Sequence, residues 1–147
     1  MQKTDKFTFR SSLGTSVVYN WKITNGSSSF YEIQDCMKEF REVRPYFYED
    51  YYPLTGSGDI TGDNIWMAYQ LYRPSDKSGF VVAFRREACP DKTHTVKLSG
   101  LDPDAVYSVT NKDTGETVSK SGRELAEGFV LTLDQPRSSL LLKYQAE

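Results

Sequence analysis

Residues 29–55, SFYEIQDCMKEFREVRPYFYEDYYPLT, decide the fold, because a helical pattern gives way to an extended one at Pro45. Before the proline, Phe30, Ile33, Met37 and Phe40 recur at i, i+3, i+7 and i+10, which draws one apolar stripe along an α-helix. Glu32, Asp35, Lys38, Glu39 and Arg41 take the other faces. Ser29 and Glu32 fit the S-x-x-E capping box, in which two orphan amides are satisfied reciprocally. Pro45 ends the helix by denying Arg44 the α region. Upstream, TSVVYNW (15–21) is a β-branched, aromatic run that reads as a buried strand, and its consecutive apolar residues suit a parallel strand covered on both faces. Residues 4–12 fit either a strand, from alternating Phe7 and Phe9, or a short helix capped by Thr4 or Asp5 and ending at Gly14. One strand and one helix cannot close a sheet. The expectation is a remnant of a larger α/β domain over 1–45 and a complete β domain over 46–147.

Downstream the period is that of strands. YFYEDYYPLTGSGDITGD (46–63) is an aromatic stretch running into a Gly-rich loop. NIWMAYQLY (64–72) and FVVAFRR (80–86) flank the turn RPSDKSG as hairpin partners. THTVKL (93–98), VYSVTN (106–111), TVSK (117–120), FVLTL (129–133) and SLLLKY (139–144) continue the series. Between them KDTGE (112–116) turns tightly, with Gly115 free to take positive φ. Short strands between Gly, Pro and Asp turns predict an antiparallel β-sandwich of Greek-key type.

Composition excludes several functions. The formal net charge of −2 leaves no electrostatic footprint for nucleic acid. No apolar run approaches the ~20 residues that span a bilayer. The N-terminal MQKTDKFTF has no apolar signal region, so a cytoplasmic protein is expected. Cys36 and Cys89 have no metal-ligand spacing and are read as free thiols, and no cofactor or metal is expected.

Chemistry-bearing constellations are sparse. His94 is the only histidine, on a strand face, so neither a Ser-His-Asp triad nor a histidine metal site is supported. Asp59, Thr61 and Asp63 begin like a calcium loop, but Asn64 stands where Gly is needed and Gln70 where a bidentate Glu is needed, so the segment reads as a connector. Asp113-Thr114-Gly115 spells an aspartic-protease triplet but lies between two short strands without a second copy, which makes it a hairpin turn. Asn25-Gly26-Ser27 reads as a turn rather than a glycosylation site. Trp66, with Tyr51 and Tyr52, is a candidate sugar platform, but Trp66 alternates within a strand and is expected in the core or a domain seam.

Several motifs carry a family resemblance in one order along nearly the whole chain. FRSSLGTSVVYNW (9–21), YYPLT (51–55), WMAYQLYRP (66–74), GFVVAFRR (79–86), GLDPDAVYSVTNKDTGE (100–116), SGREL (121–125) and PRSSLLLKY (136–144) resemble the C-terminal part of α-galactosidase (melibiase)-like glycoside hydrolases. The resemblance implies that 15–21 is the last strand and 29–44 the last helix of a catalytic (β/α)8 barrel, followed by a β-sandwich. It implies for the whole enzyme the retaining hydrolysis of α-galactosides by two carboxylates. Those carboxylates belong to earlier barrel strands and have no matching positions here, so no catalytic residue is assigned. Asn20 and Trp21, at the end of the expected barrel strand, are the candidate substrate-binding residues of the intact enzyme.

The expected function is that of a non-catalytic accessory domain that covers and stabilises the barrel. Its partners would be that barrel, a carbohydrate, or a second copy meeting the exposed helix stripe. The alternative is an independent carbohydrate-binding module, which a row of exposed aromatics on one sheet face would favour.

Overall fold

The computed structural model describes residues 5–18, 30–56 and 61–147. In chain order these form α1 (Lys6–Ser11), α2 (Phe30–Val43), a 3₁₀ segment (Arg44–Tyr48), β1 (Asp50–Pro53), β2 (Trp66–Arg73), β3 (Ser78–Arg85), β4 (Thr93–Val96), β5 (Val106–Asn111), β6 (Thr117–Ser121), α3 (Gly122–Glu127), β7 (Phe129–Thr132) and β8 (Ser138–Ala146). The described strands make a six-stranded sheet, ordered β1-β2-β3-β8-β5-β6, and a two-stranded sheet, β4-β7, with every pairing antiparallel. The architecture is mainly β and sandwich-like, without a closed barrel.

The large sheet is covered on both faces. Trp66, Ala68, Tyr72, Val81, Ala83, Tyr107, Val109, Leu140, Leu142 and Tyr144 point to the ribbon side and meet Val96, Leu98, Leu131 and Leu125. On the other face Tyr69, Leu71, Phe80, Val82, Phe84 and Leu141 meet Val43 and Tyr46, with Phe7 and Phe47 at the margin. All of β3 is consequently buried, from Ser78 to Arg85. Its unbroken apolar run is explained by antiparallel pairing under two covers. A continuous run reports burial on both faces and not strand direction.

The short-helix alternative for the N-terminus holds: Asp5 caps α1, its carboxylate accepting from the Thr8 amide at 2.8 Å. Within 15–21, Thr15–Val18 pairs with neither sheet and Val18 is 90% exposed, while Tyr19–Trp21 lie outside the described residues. The barrel strand is therefore not shown. The capping box at Ser29 also lies outside them.

Helix α2 is present, but its buried line is Cys36 and Val43, with Glu39 between, whereas Ile33, Met37 and Phe40 are only half-buried. The turn of the helix is set by charge, as described below. Pro45 does stop α2, and the chain continues as a 3₁₀ segment with the proline in its first turn, where the missing amide has no ladder to break. Two elements escaped the sequence reading. β1, at the sheet edge, tolerates Pro53 there. α3 starts from a complete Ser121/Glu124 capping box.

Candidate docking face

The helix-bearing face of the large sheet holds most of the protein's charged chemistry. Arg10, on α1, has no solvent contact through its side chain. Its guanidinium donates to both Glu39 carboxylate oxygens on α2, from Nε at 3.0 Å and Nη2 at 2.7 Å. It also donates to both Asp113 oxygens in the β5–β6 turn, from Nη1 at 2.9 Å and Nη2 at 2.8 Å. Two weaker bonds of 3.3 Å reach the Ser139 carbonyl and hydroxyl on β8. This double fork suits arginine alone, because its planar donors match two carboxylates at once. Lys6 adds a second cation to Asp113 at 3.1 Å.

The electrostatics follow from these distances. Burial disfavours the Arg10 charge, but the hydrogen bonds and fields of Glu39 and Asp113 outweigh it and raise its pKa. Burial pushes the Asp113 carboxyl up, and Arg10 and Lys6 pull it further down, to below its ordinary value. Glu42, one turn beyond Glu39, accepts from Lys112 and Lys143 at 3.2 Å each, which holds its carboxyl low against the opposing effect of burial. Glu39 must face Arg10 and Glu42 must face the lysines, so α2 presents its 36–39–43 line to the sheet.

Further ties complete the layer. Arg137, at φ +51°, pairs with the Asp5 cap, donates to Thr8 Oγ1 at 3.2 Å and lies 5.0 Å over the Phe7 ring. The Tyr46 hydroxyl meets Ser78 Oγ at 2.8 Å and accepts from Arg73 at 2.8 Å. Arg44 donates to the Thr15 carbonyl at 3.0 Å.

Between α1 and the 3₁₀ segment the cover is incomplete. A groove of about 410 Å³ lies over β2 and β3, walled by Phe7, Phe47, Tyr51, Met67, Tyr69 and Phe84. Its rings are ordered: Phe7 meets Phe84 edge-on at 5.5 Å, and Tyr51 stacks on Tyr69 at 5.5 Å. Burial, and more weakly the neighbouring Tyr51, raises the Tyr69 pKa, so its hydroxyl stays protonated. Tyr51 and Met67 at this rim are 55% and 49% exposed. Such clustered apolar exposure marks interaction sites.

The sequence candidates fare differently. Asn20, Trp21, Asn25 and Asp59 lie outside the described residues. Trp66 is a core residue, 5% exposed, its indole N–H donating to the Asp91 carbonyl at 2.8 Å. His94 is half-buried and stacks on Trp66 at 5.9 Å. Asp113 sits in a hairpin turn, with Gly115 at φ +79°, as read from the sequence, but its carboxylate is also the Arg10 anchor. Asp63 serves through its carbonyl, which accepts from Ala88 N at 2.8 Å. Cys36 and Cys89 are free and buried. Among the described residues no group of three or more His, Cys, Asp or Glu could hold a metal, and no helix is long and apolar enough to cross a membrane. The Arg10 fork was missed because 103 residues separate it from Asp113.

Comparison with known proteins places the fold. No family model matches the chain, and no curated protein matches it. Solved structures do. The chain superposes on GH36 alpha-galactosidase AgaA from Geobacillus stearothermophilus with a TM-score of 0.65 and 19% identity, over 88% of this chain and 17% of that one. The alpha-galactosidase from Lactobacillus brevis gives 0.64 and 16%, over 88% and 18%. The galactosidase domain of the alpha-galactosidase-sucrose kinase AgaSK gives 0.61 and 21%, over 82% and 17%. At these identities the likeness is one of fold, and the chain spans about a sixth of the length of each protein.

Proposed function

We propose that this chain is a non-catalytic C-terminal accessory domain of a glycoside hydrolase acting on α-galactosides or related glycosides, and that it packs against the catalytic barrel and stabilises it. The observation that carries the reading is the half-covered aromatic groove on the helix-bearing face. Burying an exposed Met or Tyr of that rim is worth about 1.5–3 kcal/mol each before ordering costs. The match to about a sixth of GH36 α-galactosidase chains supports the same reading. So does the use of the carboxylates on this face: Glu39, Glu42 and Asp113 are each held by cations, so none is poised as a nucleophile or an acid. For the assembled enzyme we propose Asn20 and Trp21 as substrate-binding residues.

The gene and its product test this. The reading frame upstream of residue 1 is expected to encode barrel strands with two acidic motifs. The longer product is expected to cleave nitrophenyl α-galactoside, while the 147-residue chain gives no turnover. Turnover by the short chain alone, or an upstream frame without a barrel, overturns the proposal.

A further inference from the structure

The two-stranded ribbon is too narrow to cover the six-stranded sheet it faces. Beside β7 this leaves a slot of about 380 Å³ over β5 and β6, the end of the large sheet farthest from β1. We propose that an extended peptide of a partner protein, apolar at alternate positions and carrying a lysine or arginine, adds here as a third strand of the ribbon.

The free edge of β7 carries the proposal. Leu133 donates its amide to the Lys92 carbonyl at 2.9 Å, and the register continues with Leu131 opposite His94 and Phe129 opposite Val96. In an antiparallel pair, bonded residues alternate with unbonded ones. Leu131 and Phe129 therefore bond towards β4, while the amides and carbonyls of Val130 and Thr132 point away from it. Among the described strands β7 pairs with β4 alone, so nothing in the sheet takes up those groups. Every residue of Phe129–Thr132 borders the slot, as the side of a strand does and a single face of it does not. An open edge of this kind is a template for a further strand. Main-chain hydrogen bonds supply the affinity of such a strand and its alternate side chains the specificity.

The chemistry of the slot restricts which strand fits. Opposite β7 stand Thr114, Glu116 and Val118, and Val118 is 45% exposed, which favours an apolar side chain above it. Val109, Leu140 and Leu142 close the bottom as core residues, so recognition rests on the strand edge and the rim. The charged residues that line the slot are Glu116 and Asp134. Among the described residues neither carboxylate is hydrogen-bonded or paired with a cation. Their uncompensated charge favours a lysine or arginine on the incoming strand and opposes an acidic residue. It also opposes a second copy, because β7 against β7 brings Glu116 and Asp134 of both copies to one seam. The slot lies on the ribbon side of the large sheet and the barrel-docking groove on the helix side, so the two readings stand or fall separately.

The test follows the backbone amide NMR signals of the isotope-labelled whole chain. The probe is the peptide acetyl-KTVTVT-amide, whose lysine and two valines share one strand face, added to about 5 mM. A saturable shift of the Val130 and Thr132 signals is expected, with a dissociation constant on the order of 1 mM. The ETVTVT peptide, with the charge reversed, and KTVPVT, which keeps the face but cannot complete the strand, are each expected to bind at least about tenfold more weakly. Glu116→Gln/Asp134→Asn, at exposed positions, is expected to weaken KTVTVT about tenfold with the far-ultraviolet circular dichroism unchanged. Thr132→Pro, which removes an outward amide and leaves the ladder to β4 intact, is expected to weaken it similarly. No saturable shift, shifts confined to other residues, equal binding of the three peptides, or unchanged affinity in both variants overturns the proposal. Dimers that form through β7 without peptide overturn it in favour of a second copy. None of these results bears on barrel docking, which Tyr51 and Met67 variants report.

Discussion

Arg10 places a charge where its own side chain meets no solvent, and the structure tolerates it only because two carboxylates close around it. Removing the cation strips Glu39, 11% exposed, of its guanidinium partner and leaves Asp113, 27% exposed, with Lys6 as its cation. Arg10→Met is therefore expected to cost about 2–4 kcal/mol in urea unfolding, the lower end reflecting partial screening of Asp113. A loss below 0.5 kcal/mol would show that the fork is ornamental. The same pair gives a pH dependence with a definite sign. The Asp113 pKa is lower in the folded chain than its ordinary 3.8, so its contribution is fully present above that value and disappears as pH falls through the lower, folded value. The urea midpoint is expected to fall below about pH 4, and less steeply in Asp113→Asn. Parallel curves for the two proteins would remove Asp113 from the account. None of this could be read along the chain, because a salt bridge between residues over a hundred positions apart leaves no local spacing. Residue 79 is different. A side chain on Gly79 would run into the Leu71 carbonyl and the Tyr144 hydroxyl, a close approach that only glycine permits between paired strands.

At the scale of elements, local signals and tertiary forces divide the account. The S-x-x-E signature at Ser121–Glu124 was visible in the sequence, but six residues are too few for a helical period to show beside it. In the structure the Ser121 hydroxyl accepts from the Glu124 amide at 3.2 Å and the Glu124 carboxylate accepts from the Ser121 amide at 2.8 Å. Ser121→Ala is expected to lower stability by about 1 kcal/mol, and Ser121→Asp to restore most of it, measured by thermal unfolding. Equal stability of all three proteins would show that Leu125, buried in the core, holds α3 without its cap. Helix α2 illustrates the reverse. Its existence and its stop at Pro45 followed from spacing, but the face it buries did not. The apolar stripe predicted an inward line of Phe30, Ile33, Met37 and Phe40. In the structure Glu39 and Glu42 pair with cations from three other elements, and the helix buries Cys36 and Val43 while Ile33, Met37 and Phe40 are half-buried.

For the molecule as a whole, the unfilled groove is the feature with most consequence. Tyr51→Ser/Met67→Ser changes two rim residues that are about half exposed, so the chain's own stability is expected to move by no more than about 0.5 kcal/mol. In the longer enzyme the same pair is expected to lower the melting temperature by several degrees, because the lost contacts are those with the barrel. A large loss in the short chain would mean the rim belongs to its own core. The sequence by itself determined the positions of β2 to β8, their two tight hairpins, the turn at Gly115 and the long helix, but neither β1 nor a strand over the described part of 15–21. Each depends on neighbours within a few residues, through periodicity, chirality and turn chemistry. Only the tertiary structure decided that β8 lies between β3 and β5, that one sheet is wide and the other two strands narrow, and which sides remain open. Those outcomes depend on which apolar faces and which distant charges meet, and residues far apart along the chain settle that jointly.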